Sequence, residues 1–344
     1  MKNFFILIPI FLIFFVSCKQ NKTYDTFKSM NTYICVQVNS LSKNQGQKAC
    51  EQVRDEILKL ENILSTTIKE SDIYNFNNSE SLDIKVHAEI EPVFNFSKTM
   101  YQKTDGLFNP AMYPIIHEWG FTTDKYKIPS DKTISSLLEQ IDFSKIVLTP
   151  CDDKNLPFKL HQYKKMQLDF GAIAKGYAGD CAINVLTKNG IKSALIDLGG
   201  NIQTLGRKND GSLWTVGVKC PWNTEEVACS IKVESKAVVT SGGYERFFIG
   251  EDKKRYIHIF DPRTGYPAKG DLESVTIVCS KGMYADALST SLFIMGKENS
   301  IDFWKQNKDF DFVLITKDKK LIYTEGLKNY IKVIFSFDKV TEVN

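Results

Sequence analysis

Apolar and polar residues alternate over residues 32–38, with Ile34, Val36 and Val38 on one face, which predicts a half-buried strand. Over 47–64 the period changes. Val53, Ile57, Leu60 and Leu64 fall at helical spacing with charges between them, so an amphipathic helix is predicted to pack on that strand. Residues 64–77, rich in hydroxyl and amide side chains, read as a loop over a pocket. A second helix is predicted over 89–104, with Pro92 tolerable in its first turn and Thr104-Asp105-Gly106 at its end. The next segment, 107–121, holds two prolines and several aromatic residues in neither period, as expected of a lid or a packed Ω-loop. Residues 124–165 read as a peripheral helix with hairpins.

The second half carries the sharpest pattern. Leu168 and Phe170 end an apolar strand, Gly171 and Ala172 make a tight turn, and Ile173, Tyr177, Cys181 and Val185 continue at helical spacing to Asn189-Gly190. A buried strand follows at 193–201, ending in Gly199-Gly200-Asn201. Antiparallel strands are predicted at 213–219, 227–233 and 236–240, before paired glycines break the pattern in 240–248. A strand and turn at 256–270, a strand at 274–279 and a glycine-capped helix at 283–296 come next. Strands at 312–316, 321–323 and 330–337 finish the domain, and no internal repeat is visible.

At the N-terminus one lysine precedes an apolar run from Phe4 to Val16, which then meets Ser17-Cys18. The run is short for a membrane span and fits a signal peptide. A small residue directly before a cysteine resembles a bacterial lipobox, so Cys18 is expected to be lipidated. Residues 1–18 are then a lipoprotein signal, 19–25 a tether and 26–340 the functional domain. The expected location is the cell membrane, lipid-anchored and facing the periplasm or cell exterior; plain secretion and an uncleaved anchor are the alternatives.

With 344 residues, 43% hydrophobic and 25% charged, the chain is long enough for one large domain or two. A net charge of +3, with acids and bases interspersed, gives no sign of nucleic-acid binding. Of eight cysteines none lies in a C-x-x-C pair. Cys220 and Cys229 are spaced to meet across a turn, but the odd count left after lipidation of Cys18 favours buried thiols.

Three places carry candidate chemistry. The turn at Gly171-Ala172 opens a helix whose free N–H groups and positive dipole end, joined by Lys175, suit an anion such as a phosphate. It matches neither common phosphate loop. Asp286 and Thr290 stand four apart on one helix face and offer hard oxygens, suited to Mg²⁺. His258 lies in a strand beside the Asp261-Pro262 turn. Each alone is compatible with ordinary capping or packing.

Together, Met30-Asn31-Thr32, DGLFNPAM (105–112), LDFGAIAKGYAGD (168–180), LGGN (198–201), TSGGYERFF (240–248), HIFDPRTG (258–265) and ADALST (285–290) resemble the ApbE family of FAD:protein FMN transferases, in order and spacing. The resemblance spans about residues 26–325. It implies an α+β fold with a T-fold-like core, antiparallel sheets with packed helices, and a central FAD cleft. It implies Mg²⁺ held by Asp286, Thr290 and the carbonyl of Ala172, and Lys175 and Asp180 on the nucleotide part. Met30, Thr32, Phe108 and Asn109 would lie about the isoalloxazine, Gly243 and Glu245 would contact the adenosine half, and His258 would lie near the reacting centre, with His258 and Asp286 as the catalytic pair. The implied reaction transfers FMN from FAD to a threonine or serine hydroxyl of another protein and releases AMP. Acceptors would be flavoproteins such as subunits of sodium-pumping NADH:quinone oxidoreductase or Rnf-type complexes.

Two positions depart from the family pattern. Asn31 replaces a usual glycine, and Ser65-Thr66-Thr67 lacks an aromatic residue common there. The second departure keeps open an Mg²⁺-dependent FAD pyrophosphatase, and a non-catalytic flavin-binding lipoprotein is the reading from a different class.

Overall fold

Nine strands of one large sheet lie side by side in the order in which the chain makes them. They are β1 (Asn21–Ser29), β2 (Thr32–Ser40), β3 (Ser193–Leu198), β4 (Asn201–Leu205), β5 (Ala237–Gly242), β6 (Leu272–Cys279), β7 (Asp311–Thr316), β8 (Lys320–Thr324) and β9 (Lys339–Val343). Every neighbouring pair is antiparallel except β8 and β9. The computed structural model describes residues 21–163 and 166–344. The expected lipidation at Cys18 lies outside the described residues. Residues 21–25, expected as part of a tether, are instead strand: β1 pairs with β2 along its whole length, Asn21 opposite Ser40 and Ser29 opposite Thr32.

Helices α1 (Lys43–Leu64), α2 (Asp72–Asn78), α3 (Ile90–Lys103), α4 (Tyr113–Glu118), α5 (Asp131–Leu138), α6 (Ala174–Lys188), α7 (Gly282–Met295) and α8 (Lys297–Gln306) complete the α+β fold. Among them α1, α6 and α7 pack on one face of the large sheet. Strand alternation sorts side chains between two cores. Ala237, Val239, Val275 and Ile277 join the helix-side core. Val238, Val278, Val313 and Ile315 turn to the other face, where strands Trp214–Cys220, Asn223–Val233 and Ile331–Val333 cover them with Trp214, Val216, Val218 and Ile231. The central strands are thus buried on both sides, which accounts for their nearly continuous apolar runs.

Several local expectations change. Part of the 64–77 loop is helix α2, because Ser71 caps it by accepting from the Tyr74 N–H. No strand forms at 168–170. The Asn77 side chain substitutes for a strand neighbour, donating to the Leu168 carbonyl at 2.8 Å and accepting its N–H at 2.7 Å. The 107–121 segment is packed and not a lid: Ile115 and Trp119 are fully buried, and the Trp119 indole N–H donates to the Gly265 carbonyl. Helix α8 and strand β4 escaped the pattern reading. All seven described cysteines are free thiols, Cys220 and Cys229 among them.

Candidate active site

The site grows from the crossing of α6 and α7. Gly176 on α6 meets Gly282 on α7 so closely that a Cβ on Gly176 would lie 2.2 Å from the Gly282 carbonyl oxygen and 2.8 Å from Asp286 Cβ. Close approach lets the Gly176 N–H donate to Asp286 Oδ2 at 2.8 Å. Buried Gln203 of β4 locks the crossing from below, donating to the Gly176 carbonyl at 2.9 Å. Asp180 caps the start of α7, accepting from the N–H groups of Gly282 at 2.7 Å and Met283 at 3.0 Å. Its carboxylate is therefore committed to holding the helix, not turned to a nucleotide as the resemblance implied.

Burial pushes the Asp286 carboxyl above the usual carboxylate range, while Lys175 and the Gly176 N–H favour its ionised form. Lys175 also acts on Asp169, Glu245 and His258. The charge of Lys175 is thus felt by acids and a histidine from separate segments. Burial raises the carboxyl of Asp169 as well.

His258 is fixed by backbone geometry. Its N–H donates to the Arg246 carbonyl at 3.1 Å, and its Nδ1 lies 3.0 Å from the same oxygen. A carbonyl only accepts, so Nδ1 carries the proton and Nε2 keeps its lone pair. Burial holds this imidazole neutral, with its pKa lowered to about 4. The Arg246 guanidinium donates to the Phe121 carbonyl at 2.8 Å, tying the histidine's segment to the packed aromatic segment.

Thr290 lies one turn beyond Asp286, within 3.3 Å of Ser241 Oγ, and Ser241 also meets Ser289 at 2.8 Å. Ala172 sits in the turn directly before α6. Among the described residues no three His, Cys, Asp or Glu side chains gather as a metal cluster. One carboxylate with a hydroxyl and a carbonyl is a thin donor set, of the kind Mg²⁺ completes with water and substrate phosphates. Asn201, 1% exposed, lies close enough to Asp286 to favour the ionised carboxyl.

Met30 and Asn31 form the β1–β2 turn, both with positive φ (48° and 59°). The Asn31 position therefore demands a left-handed residue, which glycine and asparagine supply. Asn31 is exposed, so its side chain does not fill the turn's inner side. Glu61 holds the turn, accepting from the Met30 N–H and the Ser29 hydroxyl at 2.7 Å each. Thr32 packs against Gly199, where a Cβ would lie 2.1 Å from Thr32 Oγ1. Phe108 and Asn109 stand apart from this group. Phe108 is 2% exposed in the core, and Asn109 caps the turn Pro110–Met112 through the Ala111 N–H. Neither side chain is free to flank a ring.

Sequence reasoning overlooked Asp169, Asn201, Gln203 and Arg246. A cavity of about 340 Å³ shares Gly243 with the site but is lined by Tyr256, Tyr266, Leu272 and Phe293, and none of Lys175, Asp286 or His258 reaches it.

The chain as a whole is similar to known proteins. The ApbE family model matches residues 30–314. A FAD:protein FMN transferase of Treponema pallidum is 34% identical over 263 residues, covering 74% of this chain and 71% of the relative. That of Klebsiella pneumoniae is 31% identical over 268 residues, covering 77% and 81%. The crystal structure of the ApbE protein of Thermotoga maritima superposes with a TM-score of 0.82 at 28% identity, covering 90% of this chain and 99% of that one. With a family match that spans the α6–α7 crossing, the Met30 turn and the His258 segment together, this chain belongs to the ApbE family.

Proposed function

We propose that this protein transfers the FMN half of FAD to a threonine or serine hydroxyl of an exported flavoprotein. The observation that carries the reading is the close α6–α7 crossing, which sets Asp286 2.8 Å from the N–H of Gly176, the residue after Lys175, and one turn before Thr290. In the reaction the acceptor oxygen bonds to the phosphorus nearer riboflavin, the bond from that phosphorus to the bridging oxygen breaks, and AMP leaves with its own phosphate. Transfer of this kind is catalysed by positioning and by neutralising charge on phosphoryl oxygens. Lys175 neutralises one side. Asp286, Thr290 and the Ala172 carbonyl would hold Mg²⁺, which when bound supplies the remaining positive charge.

His258 Nε2 takes the proton of the acceptor hydroxyl. Its lowered pKa keeps it unprotonated at neutral pH, and an arriving pyrophosphate raises its proton affinity. The Met30 turn and Thr32 flank the flavin from the sheet end. Acceptors are flavoproteins of membrane complexes, such as sodium-pumping NADH:quinone oxidoreductase or Rnf-type assemblies. A lipid on Cys18 would tether the enzyme to the same membrane on its outer side.

The test is incubation with FAD, Mg²⁺ and an acceptor domain, following AMP by chromatography and bound flavin by in-gel fluorescence. One covalent FMN per AMP supports transfer; AMP matched only by free FMN means hydrolysis.

A further inference from the structure

The strand register separates the two ends of the large sheet. The Met30 turn, Gly199-Gly200, Asn201 and Ser241 lie at the site end. At the other end Asn21 pairs with Ser40, Asn39 with Ser193, and Ala194 with Leu205. The Thr204 N–H donates to the Lys236 carbonyl there, and Gln45 reaches the Asn189 carbonyl at 3.0 Å. Along the nine residues of β2 the two ends stand about 30 Å apart.

That far end is strongly basic. Lys22, Lys43, Lys188, Lys192, Lys208 and Lys236 come from five separate segments, and none has an ion-pair partner among the described residues. All are exposed except the half-buried Lys208. Acids also lie near: Glu234 is held by Arg207 at 2.8 Å, Asp210 accepts from Ser212 beside Lys208, and Asp55 and Glu56 of α1 share an open pocket with Lys188, so the unpaired lysines outnumber the acids without excluding them. Leu41, 63% exposed, projects among these lysines, with its carbonyl accepting from Asn21.

We propose that this end of the sheet is a docking surface for an anionic lipid bilayer, and that it holds the active site facing away from the membrane. The inference rests on the anchoring reading in one respect. Cys18 stands three residues before the first residue of β1, a span of at most about 10 Å. A lipid on Cys18 leaves no room for a long tether, so the nearest protein surface to the headgroups is this lysine-bearing end, with exposed Leu41 beside the edge strand. Juxtamembrane clusters of this size bind anionic lipid through charge, each cation contributing about a fivefold gain in partitioning near the surface. An acceptor would then present its hydroxyl about 30 Å above the bilayer.

The strand pairs and both cores lie within residues 21–344, so a chain starting at Lys19 retains them and carries neither signal nor lipid. This chain is sedimented with vesicles of phosphatidylcholine, with and without phosphatidylglycerol, alongside the variant Lys22→Gln/Lys43→Gln/Lys188→Gln/Lys192→Gln. Expected is binding to the anionic vesicles only, abolished by high salt and weakened at least a hundredfold in the variant, whose melting temperature matches the parent's. Equal sedimentation with both vesicle types, or an unweakened variant, overturns the proposal. In a second arm, the lipidated full chain is placed in vesicles containing a lipid-borne quencher, with a fluorophore at Lys43→Cys or at Asn31→Cys. Quenching at 43 and not at 31 supports the orientation, and the reverse overturns it. The mass of Cys18 is measured separately in the native chain. Its lack of lipid would remove the anchor while leaving the sedimentation result to stand or fall alone.

Discussion

Gly176→Ala is the substitution that most directly strains the crossing on which the site is built. The added Cβ would meet backbone, the Gly282 carbonyl at 2.2 Å, so no side chain can rotate away to relieve it. The helices must part. Overpacking of this kind costs about 1–3 kcal/mol, and loss of the Gly176 N–H to a buried carboxylate a further ~1.5–3 kcal/mol. Alanine returns about 1 kcal/mol through helix propensity. The net is roughly 2–5 kcal/mol of destabilisation. Gly179→Ala on the same helix meets the Gln203 amide nitrogen at 2.1 Å, the end of a side chain that can shift, so its cost is smaller, about 1–2 kcal/mol. Gly217→Ala, exposed in its strand with Val227 at an ordinary 3.5 Å, is the control and changes stability by less than about 0.5 kcal/mol. Urea unfolding of the three variants gives the order directly. If Gly176→Ala were no worse than Gly179→Ala, the crossing would be looser than described and the positioning of Asp286 by it would be refuted.

His258 has a folded pKa of about 4 against an ordinary 6.5, so its contribution to stability is fully present above about pH 6.5 and lost as pH falls towards 4, by roughly 3 kcal/mol. His258→Gln should flatten that part of the stability profile in urea titrations run from pH 7 to 4; an unchanged slope would mean the imidazole is not buried as described. Mg²⁺ at a hundredfold excess over its dissociation constant should stabilise the parent by about 2.7 kcal/mol, and Asp286→Asn should erase the effect in thermal melts; retained stabilisation would place the ion elsewhere. At the Met30 turn, Asn31→Gly should be tolerated, whereas Asn31→Val should cost about 1–2 kcal/mol because a β-branched residue resists positive φ. Equal stability of the two variants would contradict the left-handed turn.

Much of this fold could be read from periodicity, and the reasons for the exceptions are physical. Helices α1, α3, α6 and α7 announced themselves by spacing and by caps such as Gly190 and Gly296, both with positive φ. Strand β1 was hidden because its outward residues Lys22, Tyr24, Thr26 and Lys28 are exposed at a sheet edge, so its composition resembles that of a tether. Residues 168–170 looked like a strand because Leu168 and Phe170 are buried, but their backbone partner is the side chain of Asn77, which no periodicity reveals. At the site, Lys175, Asp286, Thr290 and His258 could be singled out by residue type and motif. Asp180 and Phe108 could not be sorted from them, since a capping carboxylate and a binding carboxylate are the same residue in a sequence. Gln203 and Asn201 depend on contacts between β4 and the two helices, made over long chain separations. Their one local trace was the Gly199-Gly200 turn that aims β4 beneath the crossing.

On the function proposed above, the crossing of α6 and α7 would hold the diphosphate of FAD between Lys175 and a metal on Asp286. A crystal structure with FAD and Mn²⁺ in place of Mg²⁺, read by anomalous scattering, tests it most directly. The account predicts a metal peak bounded by Asp286, Thr290 and the Ala172 carbonyl, with Lys175 on the phosphates and the flavin beside the Met30 turn. FAD bound in the cavity lined by Tyr256 and Phe293, or a metal peak away from Asp286, would contradict it.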